Sequence, residues 1–295
     1  MTTTVRRSGA IVAVIACVLG CVPATLAQAP APSVTAKDLS LEQMRVFLST
    51  AAIVKTKAAG KGVTGTRQAT LSDGRVTHDA QIQTVDEARA LFEAGAKSEV
   101  NFKDTYKFNI AAYELARLIG LDNVPMSVER RVQDKTAAMT WWLDDLLIVD
   151  GKPLDEEVRK KKKLTPPDAL RFSRQIQVMK IFDELIQNVD RNQGNAMWDK
   201  TWKLWMVDHT RAFRLGRELK RPDDLIWCER SLLEGLRRLT ADALSAAVGR
   251  NLTKSEVDAV MVRRDLLVKH FDALIARRGE AVVLFTLSPP PDNTR

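Results

Sequence analysis

Apolar residues first recur at helical spacing at Leu41, Met44, Phe47 and Leu48. Ser40 followed by Gln43 has the pattern of a capping box, which predicts a short leading helix. From Ile53 to Asp86 the period shortens towards two: Ile53 to Lys57, a glycine-bearing turn, Arg67 to Leu71, the turn Ser72-Asp73-Gly74, then Arg75 to Val85. Aspartate followed by glycine between extended runs is a hairpin signal, so three antiparallel strands are predicted. Between Asp104 and Leu121, Phe108, Ala111, Ala112, Leu115 and Leu118 share one helical face, and Gly120 supplies a residue that ends such a helix. Val124 to Val132 and Ala137 to Leu143 read as two further strands, joined by a turn near Gln133-Asp134-Lys135.

The second half has a different texture. Asp145 to Leu164 reads as a loop, with the basic run Arg159 to Lys163 as a solvated segment. After Pro166-Pro167 an amphipathic helix runs from Asp168 to Gln187 into polar Asn188 to Asn195. A hairpin follows, from Ala196-Met197-Trp198 through Asp199-Lys200-Thr201 to Leu204-Trp205-Met206-Val207. Beyond Arg214 the pattern is helical, including Ala241 to Val248, Ser255 to Val268 and Leu266 to Arg278. No internal repeat is present, and strands followed by helices define an α+β class.

The ends carry separate signals. Arg6 and Arg7, the apolar run Ala10 to Val22 and the small residues Ala27 and Ala29 read as an export signal occupying residues 1–29, and the apolar run is short for a membrane span. Val18-Leu19-Gly20-Cys21 also resembles a bacterial lipoprotein processing site, which gives a membrane-anchored alternative through Cys21. Residues 30–39 read as a linker and residues 288–295 as a disordered tail. Removal of the signal leaves Cys228 as the single cysteine, so no intramolecular disulfide is available. The 295 residues are 45% hydrophobic and 28% charged, which excludes collagen-like and wholly disordered readings. The net charge of +8 suits anionic partners without identifying one, and no nucleic-acid partner is expected. There is no G-x-S-x-G, H-E-x-x-H or cysteine pairing to support a hydrolase or zinc site.

One segment concentrates chemistry: Asn188-Val189-Asp190-Arg191-Asn192-Gln193-Gly194-Asn195, followed by Met206-Val207-Asp208-His209. Phosphoryl transfer needs a carboxylate to orient or deprotonate the nucleophile and hard oxygen ligands for magnesium on the phosphates. Asp190, Asn195 and Asp208 have these types in this order, and the hairpin returns Asp208 towards the other two. "FDELIQNVDRNQGN" (Phe182 to Asn195) and "LWMVDHTRAF" (Leu204 to Phe213) resemble the atypical branch of the protein-kinase-like superfamily. That branch includes phosphatidylinositol 3- and 4-kinases, HipA-type kinases, and secretory-pathway and spore-coat kinases. His209 and Thr210 stand where phenylalanine and glycine are familiar in the metal motif.

The resemblance implies a two-lobed kinase-like fold over residues 40–287, with a small lobe of about 53–143 and a large lobe of about 168–287. It implies ATP and Mg2+ as cofactors, Asp190 as the catalytic carboxylate, and Asn195 and Asp208 as metal ligands. Gly60-Lys61-Gly62-Val63-Thr64-Gly65 fits a glycine-rich phosphate loop, placing Gly60, Lys61, Gly62 and Gly65 on the nucleotide. A dinucleotide fold would require a helix directly after this motif, whereas Arg67 to Leu71 continues as strand. Two departures stand out. Gln83 occupies the position of the phosphate-binding lysine, and Asn109 that of its partner glutamate. Glu114 does not substitute, lying about 140° further round the helix.

The expected activity is therefore an exported, ATP- and magnesium-dependent transfer of phosphate to a protein or small-molecule hydroxyl. The alternatives are a non-catalytic protein that binds nucleotide or serves as a scaffold, and a kinase-fold AMP transferase. A plain exported binding protein forms a further class.

Overall fold

The leading helix forms as its capping signal requires: Ser40 Oγ accepts from the Gln43 backbone N–H and Gln43 Oε1 accepts from that of Ser40, heading α1 (Leu41–Thr50). This computed structural model describes residues 1–4, 35–58, 66–94 and 97–287. The chain divides into Met1–Ser33 and Val34–Arg295, and the fold concerns the second unit. The export signal with Cys21, the glycine-rich stretch Gly60 to Gly65 with Lys61, and the C-terminal tail all lie outside the described residues.

The small lobe is built on β1 (Ala52–Ala58), β2 (Arg67–Ser72) and β3 (Thr77–Gln83). Asp73 Oδ1 accepts from the N–H groups of Arg75 and Val76, and Gly74 takes φ +85°, which closes the β2–β3 turn. Next come β4 (Asp86–Ala94), β5 (Lys97–Thr105), α2 (Lys107–Leu118), β6 (Ser127–Val132) and β7 (Lys135–Trp141). Five of these strands form one sheet in the order β1-β2-β3-β7-β6, each neighbouring pair antiparallel.

β4 and β5 form a separate two-stranded ribbon that the sequence pattern does not announce. Asp86 to Glu93 is rich in alanine, glutamate, leucine and arginine, all good helix formers, so local propensity points the wrong way. Cross-strand pairing overrides it: Phe92 stacks on Phe102 at 4.3 Å, and Thr105 Oγ1 closes the base of the ribbon on Asp86. The helix expected from Asp104 consequently begins at Lys107, because Asp104 and Thr105 belong to β5.

A small hairpin of β8 (Ile148–Val149) and β9 (Lys152–Pro153) follows, then α3 (Glu156–Lys162), where a loop is expected from the sequence. Asp155 caps α3, and Arg159 forks onto buried Glu156, which also accepts from Trp198 Nε1. Lys160 to Lys163 remain exposed. α4 (Ala169–Ile186), β10 (Ala196–Trp198) and β11 (Leu204–Met206) match their predicted positions. The remainder comprises β12 (Cys228–Glu229), α5 (Arg230–Arg238), α6 (Ala241–Val248), α7 (Lys254–Arg278), α8 (Glu280–Val283) and β13 (Leu284–Phe285). α7 is one continuous helix where the pattern divides it. No helix among the described residues is long and apolar enough to cross a membrane.

One continuous core joins these parts. Ala69, Leu71, Ala80 and Ile82 from the sheet meet Phe108, Ala111, Ala112 and Leu115 of α2, and the same cluster continues through Ile181, Phe182 and Leu185 of α4 to Leu267 and Phe271 of α7. Because strand side chains alternate, the opposite face of the sheet is left to Gln68, Thr70, Asp79, Gln81 and Gln83. Trp141, at the end of β7, packs into the core side, stacked on His78 and edge-on to Phe47.

Gly235 of α5 is a close-approach position, since a Cβ there would lie 2.3 Å from the Ile119 carbonyl oxygen. Backbone cannot yield as a side chain does, so Gly235→Ala is expected to destabilise the protein by about 1–3 kcal/mol. Chemical denaturation measures this, and a wild-type midpoint would contradict the packing described.

Candidate active site

The predicted catalytic residues converge through backbone hydrogen bonds rather than through their own side chains. α4 ends at Gln187 with φ +46°, and the turn beyond is held by Asn188 N–H on the Asp183 carbonyl at 2.9 Å. Asp190 sits exposed at the crest of this turn, its N–H on Asn188 Oδ1 and its carbonyl accepting from Asn192 N–H and from Asn195 Nδ2. Its carboxylate accepts no hydrogen bond among the described residues.

The β10–β11 hairpin brings in the other half. Ala196 pairs with Met206, so Asn195 faces Val207, whose N–H donates to the Asn195 carbonyl at 3.1 Å. Asp208 follows at φ +53°, a left-handed conformation that aspartate tolerates better than most residues and that recurs at functional sites. Its Oδ1 accepts from the Thr210 hydroxyl at 3.1 Å. Asn195 thus joins the turn that carries Asp190 to the strand end that leads into Asp208.

Arg191 locks this arrangement. Its Nε and Nη2 fork onto Asp183, its Nη1 donates to the carbonyls of Asn195 (2.6 Å) and Val207 (2.8 Å), and Nη2 also donates to His209 Nε2 at 3.0 Å. A guanidinium only donates, so His209 Nε2 accepts and the imidazole is neutral with its proton on Nδ1. Burial, with the Arg191 charge adding to it, holds the His209 pKa well below the ordinary histidine range, in agreement.

Gln83 and Asn109 also meet as predicted: Asn109 Nδ2 donates to Gln83 Oε1 at 2.6 Å, with both residues buried. The structure extends this pair, because Asn109 Oδ1 accepts from the His209 N–H at 2.7 Å. A neutral relay therefore runs from β3 through α2 to the residue beside Asp208. Gln83 Nε2 is buried without a partner. The glycine-rich residues Gly60, Lys61, Gly62 and Gly65 cannot be placed against this site, being outside the described residues.

Two participants are not apparent from sequence spacing. Arg191 carries a structural role that depends on contacts up to eighteen positions away, although its place directly after Asp190 is a signal. Asp104 lies near Asp208 across Thr210. Burial pushes its carboxyl up, the Thr210 hydroxyl pulls it back, and the Asp208 charge adds to the rise.

The donor set can be tested against a divalent cation. Among the described residues no group of three or more histidine, cysteine or acidic side chains is arranged around a common point. What remains is Asp208 Oδ2 and Asn195 Oδ1, two oxygens without a protein hydrogen-bond partner. Few, hard, oxygen-only ligands suit a magnesium-like ion that completes its shell with phosphate oxygens and water.

No protein-family model matches the chain, and no curated protein sequence matches it. Solved structures do match. A Fam20 protein of hydra, solved with a sugar, superposes with a TM-score of 0.62 at 16% identity, over 83% of this chain and 92% of that one. The Golgi casein kinase, solved with manganese and ADP bound, gives a TM-score of 0.59 at 15% identity, over 84% and 80% of the two chains. At this identity the likeness shows fold alone: the chain folds as these two structures do.

With Arg191 and Asp183 both largely buried, at 11% and 14% side-chain exposure, Arg191→Met is expected to cost about 3–5 kcal/mol of stability, measured by denaturant unfolding. Arg191→Lys is expected to recover less than half, since one ammonium cannot serve a carboxylate fork, two carbonyls and an imidazole together. A lysine variant as stable as wild type would show that charge alone suffices.

Proposed function

We propose that this chain, with its kinase-like fold, is a nucleotide- and divalent-metal-dependent phosphotransferase acting on a hydroxyl group. The observation that carries the reading is that the turn holding Asp190 and Asn195 is hydrogen-bonded to the strand end leading into Asp208, with the Asp190 carboxylate, Asn195 Oδ1 and Asp208 Oδ2 left unpaired by protein. Asp208 and Asn195 would hold magnesium, which when bound neutralises charge on the phosphate oxygens. Asp190 accepts the proton of an acceptor hydroxyl and fixes its orientation, a task that suits an exposed carboxylate with no competing partner. Gln83 Nε2 offers an N–H to a phosphate oxygen, replacing the expected cation with a neutral donor. Arg191 holds the turn and hairpin in register and is a positioning residue. The acceptor would be a protein or small-molecule hydroxyl met outside the cytoplasm, following the export reading of residues 1–29.

A second reading, a nucleotide-binding protein without transferase activity, draws on the Gln83–Asn109 pair, which brings no positive charge to the phosphates. Reversed nucleotide binding with AMP transfer is the third.

Thermal unfolding with MgATP separates these. A ligand that binds only the folded state adds about 2.7 kcal/mol at a hundred times its dissociation constant. The melting temperature is expected to rise with MgATP in wild type and in Asp190→Ala, and not in Asp208→Ala. Labelled γ-phosphate is expected to reach an acceptor only with wild type. Binding without transfer favours the second reading, transfer of AMP mass favours the third, and no shift at millimolar MgATP removes the nucleotide reading.

A further inference from the structure

We infer that the cleft selects its phosphoryl donor by the polyphosphate and metal, with little discrimination among nucleobases. This inference rests on the nucleotide reading above and concerns the part of the cleft that would receive the base.

Gln81, Ser127 and Thr140 line the same cavity as Asn109, Asp208 and His209, which identifies the sheet face that carries Gln83 as the roof of the cleft. Strand alternation places Gln68, Thr70 and Asp79 on that face as well, beside the Trp141–Trp142 crossing, where Trp142 N–H donates to the Asp79 carbonyl. Apart from buried Ala138, which pairs with Gln83, the roof is polar, and Lys55 and Lys57 of β1 pair with Thr70 and Gln68 at its outer side. Asp79 accepts from Gln68 Nε2 and from Thr70 Oγ1, and Ser127 bonds Thr140 at 2.8 Å. Among the described residues no lysine, arginine or histidine pairs with Asp79, so its two partners are both neutral.

A base-selective slot sandwiches the ring between apolar side chains, so that burying the ring faces supplies affinity and a few edge contacts supply identity. Here Val124, Pro125, Met206 and Val207 form an apolar wall to one side, but the roof presents amides, hydroxyls and a carboxylate. An aromatic face is electron-rich, so a carboxylate above it repels, and amides or hydroxyls covered by it would lose water without gaining a partner. Ring burial therefore contributes little, and the groups left to distinguish one donor from another are the metal ligands Asp208 and Asn195 and the unpartnered Gln83 Nε2, all of which act on phosphate.

The test is thermal-shift titration of the full chain with ATP, GTP, CTP, UTP and inorganic tripolyphosphate at constant magnesium. The expected result is that the four nucleotides bind within fivefold of one another and that tripolyphosphate also stabilises the protein. ATP binding more than fivefold tighter than CTP and UTP, or a silent tripolyphosphate, overturns the inference and leaves the nucleotide reading standing. Silence from all five probes removes both. Asp79→Leu, or Gln81→Val if the first fails to fold, gives the roof an apolar patch and is expected to introduce a preference for ATP of more than fivefold. An unchanged ranking in a folded variant overturns the role assigned to the roof.

Discussion

The site depends on a single guanidinium whose five N–H donors are all occupied. Arg191 spends them on the Asp183 carboxylate, on the carbonyls of Asn195 and Val207, and on the imidazole of His209. These acceptors come from the end of α4, the catalytic turn, the end of β11 and the metal motif, four stretches with no other common partner. Burying a charge is costly unless it is paired and fully hydrogen-bonded, and here both conditions hold. The same contacts explain why His209 can stand where phenylalanine is familiar: an aromatic ring still packs edge-on to Phe182 at 5.9 Å, and its nitrogen answers a donor that a hydrocarbon ring would leave unpaired.

Coupling between the lobes follows a different principle. A lysine–glutamate pair joins strand and helix by charge, whereas Gln83 and Asn109 join them by amide hydrogen bonding and pass the connection to the His209 backbone. In an environment this buried, two neutral amides avoid the desolvation that an ion pair must offset by near-ideal geometry. The arrangement thus favours rigidity at the expense of positive potential. It leaves one donor, Gln83 Nε2, unserved by protein.

The parts legible in the sequence are those whose information is local. The Asp190-to-Asn195 spacing, the Ala196–Met206 hairpin, the Ser40 cap and the Asp73-Gly74 turn all lie within short windows and form as read. The β4–β5 ribbon was not legible, because its residues favour helix and only the Phe92–Phe102 contact and the Asp86–Thr105 closure make strands of them. α3 was hidden for a related reason: a lysine run shows no apolar period, and its anchor is Glu156 meeting Trp198, forty-two positions away. Arg191 and Asp104 belong to the same class, since their importance lies in what the fold brings to them. The glycine-rich stretch remains a sequence argument alone.

The charge balance around the metal motif adds a constraint that no single residue reveals. Asp104, Asp190 and Asp208 place three carboxyl groups about the turn and hairpin, and the burial and neighbouring charge that raise Asp104 show how poorly the site tolerates further negative charge. Arg211 pulls the Asp104 carboxyl back down, but the nearby guanidiniums are also engaged by other carboxylates. Arg191 is consumed by Asp183, and Arg211 and Arg214 are both taken by Glu99. With Gln83 in the lysine position, the lysines on that sheet face are Lys55 and Lys57 of β1, which pair with Thr70 and Gln68. On the proposed function, a polyphosphate would bring further positive charge with it, as the metal ion that Asp208 and Asn195 would hold, beside what Lys55 and Lys57 supply. Metal and phosphate binding would then be coupled in this cleft rather than independent.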